Sequence, residues 1–218
     1  MSWANWGKQL STLEQADLIE FCVSQGNSTF DHADIYGDYT TEAAFGRALR
    51  ESTVKREEIQ LISKCGIQLV GKTRSNRVKH YNYNKDYILW SVDQSLKNLQ
   101  TDYLDALLLH RPSPLMHPQE IAEAVTKLQE AGKIRHFGVS NFTPSQVKLL
   151  KTALPVEMNQ VEYALTQPAA IHNGVLDQCL AEGIQAMSWS PLGTVFKEDT
   201  EKSKRIKSAL QTICKKYN

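Results

Sequence analysis

The chain has 218 residues, 41% of them apolar, enough for one substantial core or two small ones. Lys plus Arg number 25 against 24 for Asp plus Glu, a net charge of +1, which excludes any electrostatic case for nucleic acid or an acidic membrane as partner. No apolar run approaches the ~20 residues needed to span a bilayer. The opening Met1-Ser2-Trp3-Ala4-Asn5-Trp6-Gly7 lacks the basic-then-apolar pattern of a signal peptide. Cys22, Cys65, Cys179 and Cys214 form no C-x-x-C pair and read as buried thiols in a reducing compartment. The expectation is a cytoplasmic protein.

Thr12-Leu13-Glu14-Gln15 has the spacing of a capping box and opens a helix with Leu18, Ile19, Cys22 and Val23 on one face. Gly26 can adopt the left-handed conformation that ends it. Strands are predicted at 28–31, 59–65 and 103–110. Ile121, Val125 and Leu128, closed by Gly132, make the next amphipathic helix, and a strand follows at 134–140. Thr143-Pro144-Ser145-Gln146 repeats the capping pattern, with Pro at the first helical position, where its missing N–H costs nothing. Strands at 156–160 and 184–190 come next, and Ile206, Leu210, Ile213 and Tyr217 mark a final helix. This alternation, without any linker or low-complexity segment, predicts one α/β domain over 1–218 with a parallel sheet. Two architectures fit: an open doubly wound sheet or a (β/α)8 barrel. The first, in its dinucleotide-binding form, needs a G-x-G-x-x-G after its first strand, and none is present. The barrel instead predicts polar groups at the C-terminal ends of several strands.

Each predicted strand does end in a residue poorly suited to a core: Asp31, Lys64, His110, Ser140-Asn141, Asn159-Gln160, and Ser190 after Trp189. Singly, each has a bland explanation. Asp31 could cap a turn, Lys64 could snorkel, His110 could be structural, and Ser140-Asn141 could open a helix. Six at six successive strand ends point to one shared rim.

Six motifs along residues ~28–193 resemble the aldo-keto reductase family, closest to its YdhF-like bacterial oxidoreductases. They are Phe30-Asp31-His32-Ala33-Asp34-Ile35-Tyr36-Gly37, Leu61-Ile62-Ser63-Lys64, Leu109-His110-Arg111-Pro112, Gly138-Val139-Ser140-Asn141-Phe142, Asn159-Gln160-Val161-Glu162 and Trp189-Ser190-Pro191-Leu192-Gly193. The resemblance implies reduction of an aldehyde or ketone with NADP(H), with NAD(H) also open. It implies Tyr36 as general acid. A free phenol, with a pKa of about 10, is a poor acid at neutrality, and Lys64 is the implied cation that eases its ionisation. Asp31 is implied to hold Lys64, and His110 to polarise the substrate oxygen. Ser140, Asn141 and Gln160 would bind the nicotinamide carboxamide, Trp189 would stack on its ring, and Ser190, Leu192 and Gly193 would follow the phosphates. No metal is implied.

The resemblance also implies departures. Six strands are found where the family barrel has eight, so the expected fold is an incomplete (β/α)8 TIM-type barrel. The first strand and the eighth strand with its helix are unaccounted for, and with them the part that holds the adenosine 2′-phosphate. The second hypothesis is therefore a catalytically silent partial barrel, a binding or regulatory subunit or an inactive fragment. A small-molecule carbonyl is the expected partner, and the expected state is a monomer or weak oligomer. Trp3, Leu115 and Met116 are candidate apolar contacts to substrate. The basic, aromatic stretch 72–85 reads as a solvated loop on the active face, and the Lys-rich segment 202–216 as the wet side of a helix.

Overall fold

The computed structural model describes residue 3 and residues 8–217; the rest of the segment 1–7, read above for targeting, lies outside the described residues. Six strands form one parallel sheet: β1 (Thr29–Asp31), β2 (Gln60–Cys65), β5 (Leu104–Leu109), β6 (Ile134–Ser140), β7 (Met158–Glu162) and β8 (Gln185–Trp189), hydrogen-bonded in that order. A two-stranded antiparallel ribbon, β3 (Ile67–Gln68) with β4 (His80–Tyr81), follows β2. All six predicted strands are present, with ends shifted by at most two residues. The sheet is the curled wall of an incomplete (β/α)8 barrel.

The sequence dictates this sheet locally. Every residue of β5 is buried, as expected of a strand covered on both faces, so its Leu-rich run need not alternate. Asp105 is its one charge, and it is paid for by pairing. It accepts hydrogen bonds from Arg56 at 2.7 Å, Arg135 at 3.1 Å and the Leu61 amide at 2.9 Å. This network lies at the start of β5, away from the strand ends that carry the candidate residues, where its role is to hold the barrel together.

Helices pack outside the sheet: α1 (Thr12–Ser24), α2 (Thr41–Glu51), α3 (Lys85–Leu99), α4 (Pro118–Glu130), α5 (Pro144–Leu150), α6 (Ala169–His172), α7 (Val175–Glu182) and α8 (Glu201–Tyr217). Ile88, Val92, Leu96 and Leu99 of α3 share one stripe and are all buried. Asn84 caps that helix by accepting from the Tyr87 amide, worth about 1 kcal/mol. The box at Thr143 forms as predicted, whereas the first is shifted by one residue: Ser11, not Thr12, is the cap, paired reciprocally with Glu14. The T-x-x-Q and S-x-x-E readings overlap there, and the carboxylate is the stronger partner for a backbone N–H. In α8 the apolar stripe read from sequence is largely uncovered, with Ile213 and Tyr217 exposed. Cys65 and Cys179 are buried as expected, but Cys22 is only partly buried and Cys214 is exposed. No helix among the described residues is long and apolar enough to cross a membrane.

Candidate active site

Parallel strands all deliver their last residues to the same rim, so side chains distant in sequence meet there. Lys64, at the penultimate position of β2, is only 1% exposed and must satisfy its three N–H donors inside the protein. Its Nζ lies 2.8 and 2.7 Å from the two Asp31 carboxylate oxygens, 2.8 Å from the His32 carbonyl and 3.4 Å from the Tyr36 hydroxyl. Asp31 arrives from the end of β1, which pairs in register with β2. Tyr36 arrives from the turn that follows, whose start is fixed by the Asp34 amide donating to the Lys64 carbonyl at 3.0 Å. The four side chains expected to work together therefore do meet, because the His110 ring stands edge-on to the Tyr36 ring, with centroids 5.9 Å apart.

His110 follows β5 directly. Burial, reinforced by the neighbouring Lys64 and Arg111 cations, pushes its pKa down to about 3, so the imidazole is neutral. Its Nδ1 is buried without a hydrogen-bond partner among the described residues. His32 is held neutral in the same way, chiefly by burial and then by Lys64, with its pKa also lowered to about 3.

The second group lines the ends of β6, β7 and β8. Ser140 Oγ donates to the Gln160 carbonyl at 2.9 Å. Asn141 Nδ2 donates to Ser140 Oγ at 2.8 Å and to the His110 carbonyl at 3.4 Å, while its Oδ1 accepts from the Trp189 indole at 2.8 Å. The Gln160 side chain is buried. The Trp189 ring is half-buried, with the Arg111 guanidinium 5.7 Å from its centroid. Asn141 (φ 63°) and Ser190 (φ 51°) both adopt left-handed backbone, a strain of order 1–3 kcal/mol each for such residues, which clusters at functional sites. Gly193 is left-handed too (φ 54°), and a Cβ there would fall 2.0 Å from Thr166 Oγ1. Ser190 and Leu192 are exposed on the rim.

The weaker candidates separate. Leu115 is 91% exposed, whereas Met116 packs against the main core. Trp3 sits edge-on to Phe30 and beside Phe45, and with Asp31, His32 and Tyr36 it lines a small cavity next to the catalytic candidates. The stretch 72–85 is not simply a solvated loop: Arg74 is partly buried and Tyr83 fully so, its hydroxyl bonded to the Arg111 carbonyl. Sequence reading missed Asp34 and Glu42, two carboxylates buried behind Tyr36. Asp34 accepts from the Tyr87 hydroxyl at 3.0 Å and Ser91 at 3.3 Å, and Glu42 from Ser63 at 2.5 Å. No local signal marks them, since 31–42 is a polar stretch in which Asp38 stands beside them without being fully buried.

Burial, and then the adjacent Glu42, raises the Asp34 pKa to about 7. The unfolded chain releases that proton near its ordinary value of 3.8, whereas the folded protein keeps it to about 7. Between those limits the folded state binds more protons, so stability falls as pH rises across the window and the loss is complete above it. Asp34→Asn is expected to remove this loss. Melting temperature should drop less in the variant than in the parent between about pH 5 and about pH 8, and equal drops would contradict the assignment.

The comparisons agree with this geometry. The sequence profile of the Aldo/keto reductase family matches residues 1–216. The chain is 48% identical over 208 residues to the uncharacterized oxidoreductase YcsN of Bacillus subtilis, covering 93% of this chain and 69% of that protein. It is 43% identical over 201 residues to the oxidoreductase YdhF of Escherichia coli, covering 90% and 67% respectively. The fold superposes on an aldo-keto reductase from Klebsiella pneumoniae solved in complex with NADPH, with a TM-score of 0.70, 27% identity, and coverage of 86% of this chain and 64% of that one. The chain thus spans about two thirds of the length of the proteins it matches. With six strand-end motifs in order, a matching curled sheet and a profile that runs nearly end to end, the chain belongs to the aldo/keto reductase family.

Proposed function

We propose that this chain carries the active site of an NADPH-dependent reductase that converts an aldehyde or ketone to an alcohol. The observation that carries this reading is one buried ammonium, Lys64, bonded at once to the Asp31 carboxylate and the Tyr36 hydroxyl. Reduction needs a hydride at the carbonyl carbon and a proton at its oxygen. Bound NADPH supplies the hydride. Tyr36 gives the proton from its hydroxyl, and Lys64 steadies the phenolate left behind. Asp31 keeps Lys64 charged and aimed. His110, being neutral, offers a single N–H to the substrate oxygen as negative charge grows there.

The residues at the ends of β6, β7 and β8 suit the cofactor. The Gln160 amide, on the strand beside Ser140 and Asn141, offers donors and an acceptor that suit a nicotinamide carboxamide. Trp189 offers a ring face for stacking, and Ser190, Leu192 and Gly193 lie on an exposed turn able to run along the phosphates.

Titration with NADPH should quench tryptophan fluorescence saturably, with half-saturation in the micromolar to millimolar range usual for such ligands. Absence of saturable quenching at about 1 mM NADPH would favour a silent relative instead.

A further inference from the structure

The turn that presents Tyr36 has an unusual backbone. Gly37, Asp38 and Tyr39 are left-handed in succession, with φ of 60°, 54° and 66°. Glycine adopts this freely, but Asp and Tyr do so only when surrounding contacts impose it. Here the two strained residues are the two that the segment after β3 grips. The Asp38 carboxylate accepts from the amides of Lys72 at 2.8 Å and Thr73 at 3.3 Å, and the Tyr39 hydroxyl accepts from the Leu69 amide at 2.9 Å.

Arg74 closes the grip. Its guanidinium lies 3.7 Å from the centroid of the Tyr39 ring and 4.9 Å from that of Trp90. It donates to Gln68 Oε1 at 3.1 Å and to the Tyr87 hydroxyl at 3.3 Å, and stands 3.9 Å from the Asp34 carboxylate. Stacking and forked hydrogen bonding together are a task for arginine rather than lysine. Arg74 thus holds both flanks of the turn, Asp34 before Tyr36 and Tyr39 after it.

We propose that Arg74 is a positioning residue, which pins the segment 68–74 over the left-handed turn and so keeps the Tyr36 hydroxyl within reach of Lys64. The proposal rests on the reading of Tyr36 as proton donor, and its test separates the two. Arg74→Ala is expected to speed amide hydrogen exchange across 35–41 by about tenfold, with β2 and β5 unchanged. It should lower kcat for NADPH-dependent reduction of a simple aromatic aldehyde by about tenfold or more, because small misplacement of a reacting group costs that much. KM and NADPH affinity should stay within about twofold, since the site's binding groups are elsewhere.

Gly71→Ala is the second variant. Its Cβ would fall 2.0 Å from Asp38 Oδ1, which displaces the carboxylate while leaving Arg74 and the core intact. It should show the same pattern in milder form. Unchanged exchange at 35–41 in both variants overturns the clamp, and faster exchange with unchanged kcat reduces Arg74 to a loop staple and overturns it as well. A parent chain without turnover overturns the reductase reading alone, because the exchange arm needs no catalysis and still judges the clamp.

Discussion

Tyr36→Phe is expected to lower kcat by about 10²–10⁴ while leaving NADPH affinity and melting temperature nearly unchanged. The hydroxyl is the only group removed. Its contact to Lys64 Nζ is long, at 3.4 Å, so losing that bond costs the folded state little. Lys64 keeps its shorter bonds to Asp31 and the His32 carbonyl. The transition state, in which a proton must reach the substrate oxygen, loses its donor, so the main defect belongs in kcat rather than in binding. Steady-state kinetics beside a fluorescence titration read this directly. Turnover within threefold of the parent would remove Tyr36 from the chemistry.

Asp31→Ala should be the most destabilising substitution in the site. Lys64 is buried to 1% exposure, and the Asp31 carboxylate supplies both of its shortest contacts to a side chain. Asp31 itself is 35% exposed, so water partly replaces the lost carboxylate, and the cost falls below the ~3–5 kcal/mol of a fully buried pair, to about 2 kcal/mol. For a chain of this size each kcal/mol shifts the melting temperature by about 2–4 °C, so a fall of about 4–8 °C is expected. Asp31→Asn, which keeps an acceptor and the shape, should lose less. A melting temperature unchanged in Asp31→Ala would show that the ammonium finds its stabilisation elsewhere.

How much of this was legible in the sequence follows from the physics of each element. The six parallel strands were readable because a doubly covered strand needs a continuous apolar run, and the residue that ends it announces itself by polarity. The rim residues were readable for the same reason. The β3–β4 ribbon was not, since two-residue strands leave no periodicity, and β4 is exposed. The buried environment of Arg74 was hidden as well. Its partners Tyr39, Gln68, Tyr87 and Trp90 come from three segments, and nothing local separates a stacked arginine from a solvated one. The first helix cap moved by a residue because Ser11 and Thr12 are both good caps and only the position of Glu14 decides between them.

The wiring of Asn141 dictates what a ligand must bring. A side-chain amide has two hydrogens to give and two lone pairs to fill. Both hydrogens are spent, on Ser140 and the backbone of His110, while the indole of Trp189 takes up one lone pair. What survives at this position is a single vacancy for an incoming N–H or O–H. A molecule that meets Asn141 with a bare carbonyl finds no welcome there, whereas one that turns an amide nitrogen toward it completes the set without breaking any existing bond.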